Sequence, residues 1–261
     1  MENYFCVGYR RKIKFDKIES KFGIERKISI VIPTYNEEEN LENIVEEIIK
    51  NLKKTKFKNS YEIVVVDDDS KDKTPKIMDE LARRGNFVAL HRFGKRGLFS
   101  AVMDGIKIAN GKYVLIMDAD FSHPPKLIPE FTKYAGKYDI VSGSRFVKGG
   151  GNEEPFVRKI GTAILNKSCS IILGLRVKDL GGQFRLFDKE KFSKIKFKYD
   201  SKFAEYGMEL FYRAKQERFR VKEIPFVYKF RESGKSKMGN LFEVILLGFK
   251  YIGRAFHLRF E

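Results

Sequence analysis

The sequence predicts an α/β fold with a mostly parallel central sheet flanked by helices. Three observations carry that expectation. Between Ile28 and Met117, short β-branched runs alternate with segments of helical period. The junctions between them are short and polar, as crossover connections require. Acidic residues collect immediately after two of the strands, at 67–69 and 118–120, and ligands of such sheets bind beyond the carboxyl ends of the strands.

Ile28-Ser-Ile-Val-Ile32 stops at Pro33 and reads as a buried strand. Asn36 then opens a helical pattern reaching Lys54, with Asn36 as its expected cap and Glu37, Glu38 and Glu39 suiting the helix dipole. Tyr61–Val66 is a second strand, closed by Asp67-Asp-Asp-Ser70. Helix is expected over Thr74–Arg84, strand over Phe87–His91, helix over Phe99–Ala109 and strand over Lys112–Met117. The pattern is less regular afterwards. Asp139–Ser144 reads as a strand and Lys148–Glu154 as a flexible glycine-rich loop. Phe156–Leu175, Glu205–Gln216 and Leu241–Phe256 read as helices, and Gly181–Leu186 and Val221–Phe230 as strands.

A chain of 261 residues with 43% apolar content suits one large domain with a real core and excludes global disorder. The formal net charge of +17 calls for anionic partners: nucleic acid, acidic lipid headgroups or phosphorylated substrates. Charge alone does not choose among them. The two cysteines, Cys6 and Cys169, form no CxxC and are expected as free thiols. Residues 1–27 are a basic extension without the apolar core of a signal peptide. No stretch reaches the roughly 18–20 apolar residues of a membrane span, although Ile160–Leu175 and Leu241–Ile252 approach it.

The sharpest local signal is Asp118-Ala119-Asp120. Alternate residues of an extended chain point the same way, and two close carboxylates need a shared proton or a cation. Mg²⁺ or Mn²⁺ prefers such oxygens and leaves positions open for phosphate. The tripeptide also fits a turn capping the helix after Pro124-Pro125. Its place after an apolar strand favours the metal. Asp67–Asp69 admits both a helix cap and a contact to ribose or base. Arg145 and Arg185 fall near strand ends, where a guanidinium can clamp phosphate. Arg231 through Lys237 mixes cations with Ser and Gly and suits a lid over an anion. His123 is expected to be structural. No GxGxxG, HExxH or GxSxG is present, and Gly105 to Gly111-Lys112 misses P-loop spacing by one residue.

These pieces resemble a known family. Val31-Ile-Pro-Thr-Tyr-Asn-Glu37, Val65-Val-Asp-Asp-Asp-Ser70 and Asp118-Ala-Asp120 are similar to the family 2 glycosyltransferases of the GT-A fold. Gly94-Lys-Arg-Gly97, Met117-Asp-Ala-Asp-Phe-Ser-His-Pro-Pro125, Ser142-Gly-Ser-Arg145, Arg158-Lys-Ile160, Asp179-Leu-Gly-Gly-Gln-Phe-Arg185 and Arg231-Glu-Ser-Gly-Lys-Ser-Lys237 resemble, within that family, the dolichyl-phosphate mannose synthases. The resemblance implies that Pro33, Tyr35, Glu37, Val66 and Asp68 hold the guanosine of GDP-mannose. It implies that Asp118 and Asp120 bind Mg²⁺ or Mn²⁺, with Ala119 lining the nucleotide and Ser122 standing where some members have a Gln ligand. Arg145 and Arg158 would contact the acceptor phosphate, and Arg231 and Lys237 the donor diphosphate. Asp120, Arg145 and Arg158 would then be the catalytic set. Gly181-Gly182 departs from the Thr-Gly or Ser-Gly of many members.

The expected division is a basic extension (1–27), a GT-A domain (28–237) and a C-terminal amphipathic interfacial helix (238–261). The resemblance implies inverting transfer of mannose to dolichyl or another polyprenyl phosphate, on the cytoplasmic face of a membrane, with the chain bound peripherally. A small transmembrane partner subunit is expected by analogy with soluble catalytic subunits. Transfer of glucose or another hexose is the nearest rival. Nucleic-acid binding is the rival of another class, and it is disfavoured because the cations surround an acidic crevice. Ile160–Leu175 reads equally as core or interface, whereas Leu241–Ile252 favours membrane or partner contact.

Overall fold

The computed structural model describes residues 4–8, 11–13, 27–198, 206–229 and 241–261. In chain order the elements are β1 (Tyr4–Gly8), β2 (Arg11–Ile13), β3 (Ile28–Thr34), α1 (Leu41–Leu52), β4 (Tyr61–Asp67), α2 (Thr74–Ala82), β5 (Phe87–Arg92), α3 (Leu98–Ile108), β6 (Tyr113–Ile116), α4 (Ile128–Lys133), β7 (Ile140–Ser144), β8 (Gly151–Asn152), α5 (Phe156–Leu173), β9 (Arg185–Asp188), α6 (Lys189–Ser193), α7 (Tyr206–Gln216), β10 (Val221–Pro225), β11 (Val227–Tyr228) and α8 (Leu241–Phe260). The main sheet runs β10-β7-β9-β6-β3-β4-β5-β1-β2, and β8 pairs with β11 beside it.

Strands β6, β3, β4 and β5 are mutually parallel, as the alternating pattern predicts. Their side chains split by parity. Ile28, Ile30, Ile32, Ile63 and Val65 face one buried layer, covered by α1, α2 and α4. Val31, Val64, Val66, Val88 and Leu90 face the other, covered by α3, α5, α7 and α8. Burial on both faces explains why these strands are continuous apolar runs. Gly105 of α3 belongs to this packing: a Cβ there would sit 2.5 Å from Val31 and 2.9 Å from Val66.

Several expected boundaries move. The first helix begins at Leu41, and Asn36 does not cap it. Asn36 instead adopts φ +53 and accepts a hydrogen bond from Lys71 N with its side chain (2.9 Å). The strand expected at Gly181–Leu186 lies at Arg185–Asp188 and runs antiparallel to β6 and β7. Residues 148–154 are not simply a loop, since Gly151–Asn152 pairs with Val227–Tyr228. The strand expected over Val221–Phe230 breaks at Phe226. Part of the N-terminal extension forms β1, which pairs antiparallel with β5 and lengthens the sheet.

Helices α5 and α8 pack on each other. Each turns one side inward: Cys169 and Leu173 from α5, Ala255 and Leu258 from α8. Each also carries an exposed apolar row. Phe156, Ile160, Ile164 and Ile171 of α5 stand four, four and seven residues apart, and Phe249, Phe256 and Phe260 of α8 seven and four, spacings that hold each row to one helix face. Among the described residues, no helix is long and apolar enough to cross a membrane.

Candidate functional site

The carboxyl ends of β3, β4, β5 and β6 come together at one edge of the sheet. β4 and β6 flank β3, so Asp67–Asp69 and Asp118–Asp120 stand two strand spacings apart, about 10 Å. Left-handed backbone concentrates at the same edge. Of the four described non-glycine residues with positive φ, Asn36, Asp69 and Phe121 lie in the loops leaving β3, β4 and β6. Such strain persists only where surroundings enforce it, and it clusters at functional sites.

The loops after β3 and β4 enforce one another. Asn36 N donates to Ser70 Oγ (2.8 Å), Glu37 N to Thr74 Oγ1 (2.9 Å) and Glu38 N to Asp72 Oδ2 (3.1 Å). Glu38 in return accepts from Lys73 N (2.9 Å). Tyr35 is left half-buried, and the Glu37 carboxylate, 8% exposed, accepts from Asn40 Nδ2. Pro33 and Val66 are buried in the strands, and Val66 packs under α3. The Val66 side chain therefore does not face the edge where the sequence put it.

Asp68 is also committed within the protein. Arg92 Nη1 donates to its Oδ1 (2.6 Å) and Gly97 N to its Oδ2 (2.7 Å). Arg92 is buried, and its Nε lies 3.0 Å from Asp104 while Nη2 donates to Ser100 Oγ (2.6 Å). Asp68 thus ties the ends of β4 and β5 to the start of α3. Gly97, at φ +149, makes that turn possible. Asp67 is buried, and burial raises its pKa above the usual value.

Asp118 and Asp120 are half-buried at the end of β6, with Ala119 buried between them. The turn is fixed by two contacts: Asp118 N donates to His123 Nδ1 (2.9 Å), and Ser122 N to Asp120 Oδ1 (3.1 Å). His123 is 2% exposed and stacks on Phe184 at 5.1 Å, so it shapes the turn, as expected. Ser122 is likewise buried, and its Oγ has no hydrogen-bond partner. No group of three His, Cys, Asp or Glu with metal-binding geometry occurs among the described residues. Two carboxylates and an orphaned hydroxyl nevertheless fit Mg²⁺ or Mn²⁺, which usually take one or two carboxylates and complete their shell with phosphate and water.

Arg145 follows β7 and is gripped by Asp179. Its Nε donates to Oδ2 and its Nη2 to Oδ1, both at 2.8 Å, and its backbone N donates to Oδ2 at 3.0 Å. Asp179 is fully buried. Burial opposes its charge, but the Arg145 hydrogen bonds outweigh that and lower its pKa. Arg158, in the first turn of α5, lies 4.0 Å from Glu154, whose charge is also felt at Arg145. Both expected acceptor arginines therefore feel the charge of one carboxylate. Arg185 does not reach the surface. It is 0% exposed, sits over Phe211 at 4.8 Å and donates to Leu180 O, and burial lowers its pKa. Its expected clamp on phosphate gives way to a place in the core. Arg231 and Lys237, and with them the expected lid, lie outside the described residues.

Arg92, Asp104, Asp179 and Glu154 carry no role in the sequence pattern, yet all four take part in these ion pairs. Arg92 carried a usable signal, since it ends an apolar strand at the ligand-binding edge. Asp179 lies 34 residues from Arg145, and no local pattern announces that pairing.

The profile of the family "Glycosyl transferase family 2" matches residues 29–196. A dolichol-phosphate mannosyltransferase of Pyrococcus furiosus is 37% identical over 221 residues, 81% of this chain and 59% of that protein. An undecaprenyl-phosphate 4-deoxy-4-formamido-L-arabinose transferase of Proteus mirabilis is 32% identical over 171 residues, 64% of this chain and 51% of that protein. The chain thus spans little more than half the length of these two relatives. Among solved structures, glucosyl-3-phosphoglycerate synthase of Mycobacterium tuberculosis, in complex with Mn²⁺, UDP and phosphoglyceric acid, superposes with a TM-score of 0.64 at 17% identity, covering 94% of this chain and 82% of that one. At that identity the likeness speaks for the fold, and the expected GT-A architecture is borne out.

Proposed function

Because the chain belongs to glycosyltransferase family 2, we propose that it transfers mannose from GDP-mannose to dolichyl or another polyprenyl phosphate, with inversion, at a membrane surface. The observation that carries this reading is the acid pair Asp118/Asp120 at the carboxyl end of β6, beside β3 and the Tyr35 loop. The two sequence relatives, named for transfer to dolichol phosphate and undecaprenyl phosphate, support the acceptor class.

In this reading Tyr35 and Glu37 border the guanosine, and Asp68 acts from behind by holding the Gly97 turn. Pro33 and Ala119 contribute walls. Asp118 and Asp120, with Ser122 Oγ, would hold Mg²⁺ or Mn²⁺, which neutralises diphosphate charge when bound. Arg231 and Lys237 would supply further positive charge to the same diphosphate. The acceptor phosphate is already anionic at neutral pH, so no poised general base is needed, and His123 stays structural. The chain's work is positioning and charge neutralisation. Arg158 and Arg145 draw the acceptor anion toward the donor, against a repulsion of several kcal/mol between two phosphates in a low-dielectric cleft. Asp179 takes one N–H each of Arg145 Nε and Nη2, which leaves the N–H groups of Nη1 and the second one of Nη2 for an acceptor oxygen.

A lipid acceptor stays in its bilayer, so the enzyme must meet it there. The exposed rows Phe156/Ile160/Ile164/Ile171 and Phe249/Phe256/Phe260 support peripheral binding through α5 and α8. Lys250, Arg254 and His257 beside the second row suit an anionic, cytoplasmic leaflet. A small membrane-embedded partner could seat on the same rows.

The test is a panel of radiolabelled GDP-mannose and UDP-glucose with dolichyl phosphate in liposomes, with and without Mg²⁺. The expected outcome is lipid-linked mannose from GDP-mannose, with the protein sedimenting with the liposomes. Label transferred only from UDP-glucose would replace the donor and keep the chemistry. No transfer from either would overturn the reading.

A further inference from the structure

The donor edge carries a cation that has no role assigned above. Arg96, in the loop between β5 and α3, lays its guanidinium over the Tyr35 ring, 4.6 Å from the ring centroid. Arg96 is exposed and Tyr35 is half-buried. A solvent-facing pair of this kind contributes little to folding, yet the loop presenting it is held unusually well. Gly97, next in sequence, has a backbone angle suited to glycine and donates its N–H to Asp68. Asp68 is fixed by buried Arg92, which also bears on Asp104 and Ser100. On the other side of Arg96, the Asp69 carboxylate is held below its usual range, first by Lys71 and further by Gly94 N–H and the charge of Arg96 itself. The loop is thus tied through Gly97 to the acidic run after β4, with Arg96 directly beside the tie.

We propose that Arg96 is a donor-nucleotide contact whose guanidinium plane stacks on the base carried beside Tyr35, and that Arg92, Asp68 and Asp104 are positioning residues for it. This rests on the glycosyltransferase reading of the same edge. The guanidinium is flat, weakly hydrated and always charged, and it stacks on π-faces in a way an ammonium does not. A nucleobase offers such a face whatever its identity. An exposed side chain of this length shifts outward to admit a base between itself and the ring at little cost, because only its far end moves. The strap beneath it, from Asp68 to Arg92 to Asp104, stays in place.

The test is titration of the full chain with GMP, GDP, UMP and UDP, in wild type, Arg96→Ala and Arg96→Lys, each checked for an unchanged melting temperature. For whichever base the wild type prefers, Arg96→Ala is expected to weaken the mono- and diphosphate equally, by roughly tenfold, the weight of about one cation–π contact. Arg96→Lys is expected to bind no better than Arg96→Ala, because it keeps the charge and loses the plane. Wild-type affinity in Arg96→Ala, recovery in Arg96→Lys, or a loss confined to the diphosphates would each overturn the stacking role while leaving the glycosyltransferase reading standing. Failure of the wild type to bind any of the four nucleotides would overturn both.

Discussion

Two arginine–aspartate clasps stand at the same edge of the sheet, and they are built in opposite senses. In the first half of the chain the arginine is the buried member: Arg92 is 1% exposed, whereas its partners Asp68 and Asp104 keep 12% and 19% of their side-chain surface. In the second half the carboxylate is buried: Asp179 is 0% exposed and Arg145 keeps 11%. The first arrangement hides its cation and braces a loop. The second hides its anion and leaves its cation as the more exposed partner. In the proposed reading, one type of ion pair would serve as a strut on the donor side and as a mount on the acceptor side, and the difference lies in which partner is withdrawn from water.

The comparison breaks most sharply at Asp179. Replacing it by Ala strips the partner from Arg145 and leaves Arg145 N and Gly182 N without the acceptor they share. A loss of about 3–5 kcal/mol in stability is expected, as for other broken buried pairs, together with loss of transfer to lipid. Chemical denaturation measures the first and the liposome assay the second. Wild-type stability in Asp179→Ala would show that the clasp is not a mount at all.

Arg92→Leu probes the other clasp and is expected to cost less, about 1–3 kcal/mol, because the carboxylates it releases are already partly in water. Its effect on function should appear in nucleotide affinity and leave the acceptor's KM unchanged. A rise in that KM would erase the division between the two sides.

Acid sharpens the contrast by a smaller amount. Asp179 has a folded pKa below its usual 3.8, owing to Arg145. Its contribution to stability is therefore present above the unfolded pKa and is lost as pH falls through the lower folded value. Asp67 is shifted the other way by burial, so its protonation favours the folded state in a separate window, as pH falls from its raised folded pKa to the unfolded value, and adds no slope below that. Denaturation midpoints below pH 4 should fall more steeply in wild type than in Asp179→Asn, and equal slopes would remove Asp179 as the responsible group.

The same division explains what could be read from the sequence. From Ile28 to Ile116, structure follows local pattern: each strand is a short apolar run, and parity alone assigns Val31 and Ile32 to different layers. The acid pair at 118 and 120 was legible for the same reason, since a strand end is a local feature. Past Tyr138, long-range pairings decide. β9 starts at Arg185, later than its pattern suggests, because the preceding turn is bent around Asp179, which accepts from Gly182 N (3.1 Å). That turn is further pinned by Glu223, which accepts from Lys178 N and Asp179 N. Asp139 binds Lys191 and accepts from Arg220 N. Gly182 apart, none of these partners is a sequence neighbour. Asn36 misled within the regular half, because a residue suited to capping α1 is equally suited to the left-handed turn that its contact with Lys71 N requires.

In the proposed chemistry the acid pair serves the leaving diphosphate. The most direct measurement is the initial rate of mannose transfer from GDP-mannose to dolichyl phosphate, at saturating Mg²⁺, by wild type and by an Asp120→Ala variant that melts at the wild-type temperature. The rate is expected to fall more than about a hundredfold, with removal of Mg²⁺ slowing the wild type and leaving the variant unchanged. A folded Asp120→Ala protein that transfers mannose at the wild-type rate would contradict the account.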